Sequence, residues 1–311
     1  MTQPVITIVG SFAVGMTMRT SRMPIFGETF FGADFDMGPG GKGSNQAVAA
    51  ARLGAHASLA GIIGDDRLGE IAIDLYASEG VDTSYLEITP QRATGVGFII
   101  LNQQGENGIL LDMGANMLMD ADFVDTIETQ IARSDIVMTV LELPTAAAAR
   151  AVELGRKHGV RTILNPAPAT LLDRAVLHNV DYLTPNETEL RILLGLPPDD
   201  PTPTVRLAER LQEQGVANLV VTCGERGALV LSPSGQYEVP SLAPPGPIVD
   251  TTGAGDAFNA GLAVALSEGR DLLAAVRFGC CCGALACTQM GVIPALAHRD
   301  QVDQLFAEVH S

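Results

Sequence analysis

Late in the chain, Val249-Asp250-Thr251-Thr252-Gly253-Ala254-Gly255-Asp256-Ala257-Phe258-Asn259-Ala260-Gly261 joins a turn of small residues to a helical segment. Glycines at 253 and 255 let an anion approach the backbone, and the exposed amides and dipole of a helix start favour negative charge there. The chemistry this suits is phosphate binding. Asp256 is the odd member, because a carboxylate beside a phosphate costs electrostatic energy unless it has a task. Acting as base toward a hydroxyl that attacks a phosphoryl group is such a task. An acid in a first helical turn is also favoured structurally, by a few tenths of a kcal/mol up to about 1. On the local residues alone the two readings stand even.

Two other turn-to-helix junctions bear on this site. Gly40-Gly41-Lys42-Gly43-Ser44-Asn45-Gln46-Ala47 offers exposed amides and an Asn45 side chain suited to ligand hydroxyls, although a structural turn would explain its glycines alone. In Thr184-Pro185-Asn186-Glu187-Thr188-Glu189, Asn186 and Glu189 share one face of a beginning helix. That pair suits water-mediated Mg²⁺ binding, or equally an ordinary Asn cap with Glu at the third helical position. Competing phosphate motifs fit worse. Lys42 is followed by Gly43 where a P-loop needs Ser or Thr, and Gly253-x-Gly255 lacks the third glycine of a dinucleotide fingerprint.

These junctions must be held by a scaffold. Apolar, β-branched runs at Val5 to Val9, Ser58 to Ile63, Ile136 to Leu141, Thr162 to Leu164, Tyr182 to Thr184, Leu219 to Thr222 and Leu229 to Leu231 read as buried strands. Helical spacing falls between them, at Asn45 to Leu53, Leu68 to Ser78, Thr145 to His158, Glu187 to Leu194 and Val205 to Gln214. This alternation predicts an α/β fold whose mostly parallel sheet is covered by helices on both faces. The three junctions would then open toward one crevice at the carboxyl ends of the strands. Residues 16–37 and 94–113 break the rhythm with extended segments and Gly or Asn turns. They are expected to pair with each other as a small antiparallel sheet, a lid over one edge, with two independent loops as the alternative.

Composition bounds the function. The 311 residues carry a formal charge of −17, which repels nucleic acid over most of the surface. No apolar run is long enough to span a bilayer, and the N-terminus lacks a basic leader segment. The five cysteines, Cys223, Cys280, Cys281, Cys282 and Cys287, form an odd, clustered set that suits reduced thiols and a cytoplasmic location. Helical steps would point Cys280, Cys281 and Cys282 in different directions, so they are read as small buried hydrophobes and not as a metal site.

Taken in order, Gly40-Gly41-Lys42-Gly43-Ser44-Asn45, Gly64-Asp65-Asp66-Arg67-Leu68-Gly69, Asn165-Pro166-Ala167-Pro168, Asn186-Glu187-Thr188-Glu189 and Asp250-Thr251-Thr252-Gly253-Ala254-Gly255-Asp256 resemble the motifs of the ribokinase-like (PfkB) carbohydrate kinases along nearly the whole chain. The resemblance implies a single-domain, three-layer α/β/α sandwich with a small β lid that also makes a dimer contact. It implies transfer of the ATP γ-phosphate to a primary hydroxyl of a pentose or related sugar, with nucleosides or other polyols as alternative acceptors and a non-catalytic sensor as a more distant one. By the same carry-over Asp256 would be the base, the amides of Ala254 and Gly255 would form the anion hole, and Gly253 would belong to the same catalytic turn. Gly41, Lys42, Gly43, Asn45 and Glu142 would border the sugar, while Asn186, Thr222, Gly224, Gly227 and Gly255 would border the nucleotide. Glu189 would lie near Mg²⁺, and Asp250, Thr252, Ala286, Gln289 and Gly291 would surround a monovalent cation, K⁺.

The chain also departs from that pattern. Ribokinases read Gly-Ser-x-Asn-x-Asp after the first strand and grip sugar hydroxyls with the Asn and Asp, whereas this chain reads Gly10-Ser11-Phe12-Ala13-Val14-Gly15. Either a lid carboxylate such as Asp34 or Asp36 substitutes, or the acceptor differs from ribose in size or hydroxyl pattern and fills the space beside Ala13 and Gly15. The second is the preferred reading. At the cation site Ala295 stands where a serine ligand is usual.

Overall fold

The structure, a computed structural model, describes residues 3–102 and 107–310. The strands in chain order are β1 (Val5–Val9), β2 (Ala13–Arg19), β3 (Ala33–Gly40), β4 (His56–Gly64), β5 (Asp82–Thr89), β6 (Gly95–Leu101), β7 (Asn107–Asp112), β8 (Ile136–Val140), β9 (Arg161–Asn165), β10 (Tyr182–Leu183), β11 (Asn218–Thr222), β12 (Ala228–Ser232) and β13 (Gly235–Val239). One sheet runs β13-β12-β11-β10-β9-β8-β1-β4-β5. It is parallel from β5 to β11 and closes with an antiparallel β11-β12-β13 edge. All the buried runs read as strands lie in it. The edge strands β5 and β13 were not anticipated, because their half-exposed residues lack a continuous apolar run.

Helices cover both faces of this sheet, giving the three layers expected. The helix Ala254–Ser267 is buried from Asp256 to Leu266 on every side, held between the sheet and the helix Leu272–Ala286. Close approach of these two helices depends on small residues: a Cβ on Gly261 would stand 2.5 Å from Cys282 Sγ, and one on Gly279 2.8 Å from the Phe258 carbonyl oxygen. Cys281 and Cys282 are buried in this seam. Burial pushes the Cys280 thiol up to about 12 and the Cys281 thiol up to about 11, and raises Cys282 as well, so all three stay protonated and act as small apolar groups. Among the described residues no helix is long and apolar enough to cross a membrane.

A second, four-stranded sheet, β3-β2-β6-β7, is the lid. Its first pair of strands reaches beyond the expected 16–37, covering 13–40, while the second, 95–112, lies within the expected 94–113, with residues 103–106 outside the described ones. The expectation that its two segments pair antiparallel is corrected: each is an antiparallel hairpin, but they join through β2 and β6, which run parallel. β2 continues from β1 and β6 follows β5, so both leave the carboxyl ends of parallel strands and travel outward in one direction. The root of the lid is fixed by Asp66. Its carboxylate caps the helix Arg67–Glu79 through Leu68 N and Gly69 N and also accepts from Thr94 N and Thr94 Oγ1, each 2.8 Å away. The Gly64-to-Gly69 motif is thus a joint between core and lid.

Candidate active site

The carboxyl ends of the parallel strands deliver the polar residues. Ser11 follows β1, Glu142 follows β8, Asn165 ends β9, Thr184 and Asn186 follow β10, and Thr222 ends β11. Across the crevice from them start the helices Lys42–Arg52 and Ala254–Ser267.

The start of the helix Lys42–Arg52 is satisfied by distant partners. Lys42 N donates to Glu142 Oε2 (2.8 Å), Gly43 N to Ser11 Oγ (3.3 Å) and Ser44 N to the Ser11 carbonyl (2.8 Å), while Ser11 Oγ donates to the same Glu142 oxygen at 2.6 Å. The first-turn amides expected to be exposed here are therefore already engaged. The glycines answer a packing need: Gly41 has φ 90, and a Cβ on it would meet Phe12 Cα and Ala13 N at 2.8 Å, while one on Gly43 would lie 2.5 Å from Gly10 Cα. This tight seat fixes the side chains one turn on. Asn45 Nδ2 donates to Asp256 Oδ2 at 2.8 Å, and Gln46 Nε2 to Asp256 Oδ1 at 3.2 Å. Asn45, Gln46 and Asp256 are all buried, and Asn45 Oδ1 has no partner among the described residues.

Asp256 lies in the first turn of its helix, whose N-cap Gly253 is left-handed at φ 82. A Cβ on Gly253 would strike Val292, whereas one on Gly255 would meet nothing within 4 Å. Gly255, next to Asp256 in the chain, therefore borders open space, as a phosphate cradle would require. Below this turn Asp250 Oδ1 accepts from Thr252 N (2.9 Å) and Thr252 Oγ1 (2.7 Å), and Asp250 Oδ2 from Gly291 N (3.3 Å). Asp250, Thr252 and Gly291 are thus brought together. Ala286 ends the helix Leu272–Ala286, Gln289 lies in the following turn, and Ala295 is buried in the short helix Val292–Ala295.

Asn186 and Glu189 form the cap that was one of the two readings offered for them. Asn186 Oδ1 accepts from Glu189 N and Glu189 Oε2 accepts from Asn186 N, both at 2.8 Å, a complete capping box for the helix Glu187–Leu193. Glu189 also feels Lys42 and Asp256 electrostatically, so the cap stands at the site. Asn186 bridges to Thr222, and Gly224 (φ 55) and Gly227 (φ 93) shape the turn that follows.

Charge in the crevice is mutually tuned. The Lys42 ammonium is held charged chiefly by Asp256, against burial and with help from Glu142 and Glu189. Burial pushes the Glu142 and Glu189 carboxyls up, an effect that Lys42 opposes at both. One ammonium amid three carboxylates leaves acidic groups in excess, so a phosphate entering this crevice would need added positive charge from a metal ion. Asp34 and Asp36, considered as substitute ligands, are exposed on β3 and outside this buried cluster, while Ala13 is buried at the lid root.

Residues that sequence reasoning did not single out complete the site: Ser11, Gln46, Thr184 and Asn259. All four stood inside quoted segments, but nothing local marked their partners.

Known proteins resemble the chain over nearly its whole length. The pfkB family carbohydrate kinase model matches residues 5–299. The ribokinase of Haemophilus influenzae is 35% identical over 296 residues, 95% of this chain and 96% of that one. The deoxyribokinase of Salmonella typhimurium is 37% identical over 254 residues, covering 81% of this chain and 82% of its own. The structure of Arabidopsis thaliana ribokinase complexed with ribose and ATP superposes with a TM-score of 0.90 at 28% identity, covering 98% of this chain and 99% of that one.

Proposed function

The chain belongs to the pfkB family of carbohydrate kinases, and we propose that it transfers the γ-phosphate of ATP to a primary hydroxyl of a pentose or related sugar, with Asp256 as the base. The observation behind this reading is the Asp256 carboxylate, fixed by Asn45 and Gln46, with open space at the preceding residue, Gly255. A sugar hydroxyl within reach of Asp256 gives up its proton to that carboxylate as its oxygen attacks the γ-phosphorus and the bond to the departing ADP oxygen breaks. The amides of Gly253 and Gly255 receive the charge of the transferring group, joined by that of Ala254 once it leaves the Thr251 carbonyl, to which it donates at 3.3 Å. Asn45 Oδ1, buried without a protein partner among the described residues, is an acceptor for another sugar hydroxyl. Lys42, close to Asp256, Glu142 and Glu189, supplies the local positive charge.

The residues present fit the ions that such a reaction uses. Glu189 offers a half-buried carboxylate for Mg²⁺ held through water, alongside the phosphates of the nucleotide. Asp250, Thr252 and the carbonyls of Ala286, Gln289 and Gly291 offer the oxygen donors that an alkali cation takes. Such ions would neutralise phosphate and steady the anion hole. Asn186, Thr222, Gly224 and Gly227 border the nucleotide in this reading.

The acceptor differs from ribose in size or hydroxyl pattern where it meets Ala13 and Gly15, since neither residue offers a hydrogen-bonding side chain. Relatives named for ribose and deoxyribose frame the choice. A panel of pentoses, deoxy-sugars, hexoses and nucleosides, followed by ADP release with K⁺ or Na⁺, tests this. The reading expects turnover with a member other than ribose and fails if ribose is the best acceptor. The lid presents Phe26, Phe31, Phe35, Phe98 and Leu110 to solvent, an apolar surface that supports a homodimer through the lid. The whole chain then acts as one cytoplasmic kinase unit.

A further inference from the structure

A chain of buried amides and one hydroxyl runs through the protein from the Asp256 carboxylate back to the peptide that precedes Asp256. Gln46 Nε2 donates to Asp256 Oδ1 and also to Asn165 Oδ1, each at 3.2 Å. Asn165 Nδ2 donates to the Thr184 carbonyl at 3.3 Å, and Thr184 Oγ1 to Asn259 Oδ1 at 2.6 Å. Asn259 Nδ2 then donates to the Gly255 carbonyl at 2.8 Å. Gln46, Asn165, Thr184 and Asn259 are all buried. Their polarity is fixed at both ends by groups that can only accept: an ionised carboxylate and a peptide carbonyl. A flipped Gln46 would aim its oxygen at the carboxylate, and a flipped Asn259 would aim its oxygen at the Gly255 carbonyl. Only this arrangement of the amides makes every bond of the ring, and it leaves Gln46 Oε1 buried without a partner among the described residues.

We propose that Gln46 is a positioning residue for the reaction, holding the Asp256 carboxylate in the rotamer that reaches the acceptor hydroxyl, with Asn165, Thr184 and Asn259 anchoring Gln46 and the Gly255–Asp256 peptide to the ends of β9 and β10. The proposal rests on Asp256 being the base. Its logic is steric and directional. Asn45 holds one carboxylate oxygen and Gln46 the other, so the plane of the carboxylate is set from two successive residues of a helix that is itself seated on Ser11 and Glu142. Loss of the Gln46 contact frees the carboxylate to rotate about the Asn45 bond, and a displacement of roughly an ångström at a reacting group can cost on the order of 10²-fold in rate.

The test is a double-mutant cycle of Gln46→Met with Asp256→Asn, reading kcat, the KM for ATP and for the best acceptor, and the thermal midpoint. Methionine keeps the unbranched length and removes the donor. The expected result is a fall in kcat of about 10- to 100-fold with both KM values little changed, and almost no further fall when Asp256 is already Asn, because the group being positioned is gone. Equal fractional losses in both backgrounds, or a Gln46→Met enzyme with full kcat, would overturn the proposal. An Asp256→Asn enzyme with full turnover would overturn the base assignment itself, a distinguishable outcome. Should Gln46→Met fail to fold, Asn165→Ala leaves Gln46 in place but unanchored; the same cycle is expected to show a smaller kcat loss, again absent in the Asp256→Asn background, and additive losses would again refute the proposal.

Discussion

Two glycines of the site should respond in opposite ways to the same added methyl group. Both sit in first helical turns, Gly43 in the helix Lys42–Arg52 and Gly255 in the helix Ala254–Ser267. In a helix, Gly→Ala alone stabilises by about 0.5–1 kcal/mol. At Gly43 the new Cβ would lie 2.5 Å from both Gly10 C and Gly10 Cα, and closer still to Ser11 N. These are backbone atoms that cannot swing aside, so the helix must retreat by about an ångström to restore ordinary contact. Overpacking of this kind costs about 1–3 kcal/mol, which offsets or exceeds the helix gain and leaves Gly43→Ala less stable by up to roughly 2.5 kcal/mol. The retreat would carry Asn45 and Gln46 away from Asp256, and kcat should fall by about 10²-fold. At Gly255 the new Cβ meets nothing within 4 Å, so Gly255→Ala should be as stable as the parent or more so, by up to about 1 kcal/mol. Its methyl group would occupy space assigned to phosphate, and turnover should drop at least roughly 10-fold. Urea unfolding and steady-state kinetics on the two variants decide the matter. A stable, active Gly43→Ala, or a Gly255→Ala enzyme with parental turnover and parental KM for ATP, would refute the reasoning.

Asp66→Ala removes a helix cap and both bonds to Thr94, so a stability loss of about 2–4 kcal/mol is expected in chemical unfolding. Although burial works against it, hydrogen bonds from Thr94, Gly69 and Leu68 hold the Asp66 carboxyl below its ordinary value. Its stabilisation is therefore complete above the unfolded carboxylate range, about 4, and fades as the pH falls below it; the parent-minus-variant difference should shrink in acid. Glu142 has the opposite sign. Burial raises its folded value, so the folded state binds the extra proton and its contribution is lost as the pH rises from about 4.3 through that raised value. The thermal midpoint of Glu142→Gln, relative to the parent, should climb between pH 4 and pH 7, and a pH-independent difference would contradict the assignment.

What could be read from the residues follows from the range of the forces involved. Buried parallel strands announce themselves by continuous apolar runs, as Val5–Val9 and Ile136–Val140 do, and small-residue turns before helices marked both the Gly41 and the Gly253 junctions. Strand pairing is a long-range property. The residues of β2 and β6 do not reveal that the strands run parallel, because that is set by how both chains leave the larger sheet. The half-exposed β5 was not anticipated for a similar reason, since its pairing with β4 is set at long range. At the site, Asp256, Asn45 and Glu189 carried local signatures, a turn, a glycine-rich junction and a capping box. Gln46, Asn165, Thr184 and Asn259 did not, since their partners lie 119, 19 and 75 residues apart along the chain. The Gly41 and Gly43 positions were recognised but their chief physical role, close seating on Gly10 to Ala13, needed the packed backbone to be seen.

The central claim is that Asp256 accepts the proton of a sugar hydroxyl during transfer from ATP. The most direct measurement is turnover of Asp256→Asn with the best acceptor of the panel, alongside calorimetric titration of ATP into the same protein. The account predicts a kcat lower by about 10²- to 10⁴-fold with ATP binding retained. An Asp256→Asn enzyme that binds ATP and phosphorylates the acceptor at the parental rate would contradict it.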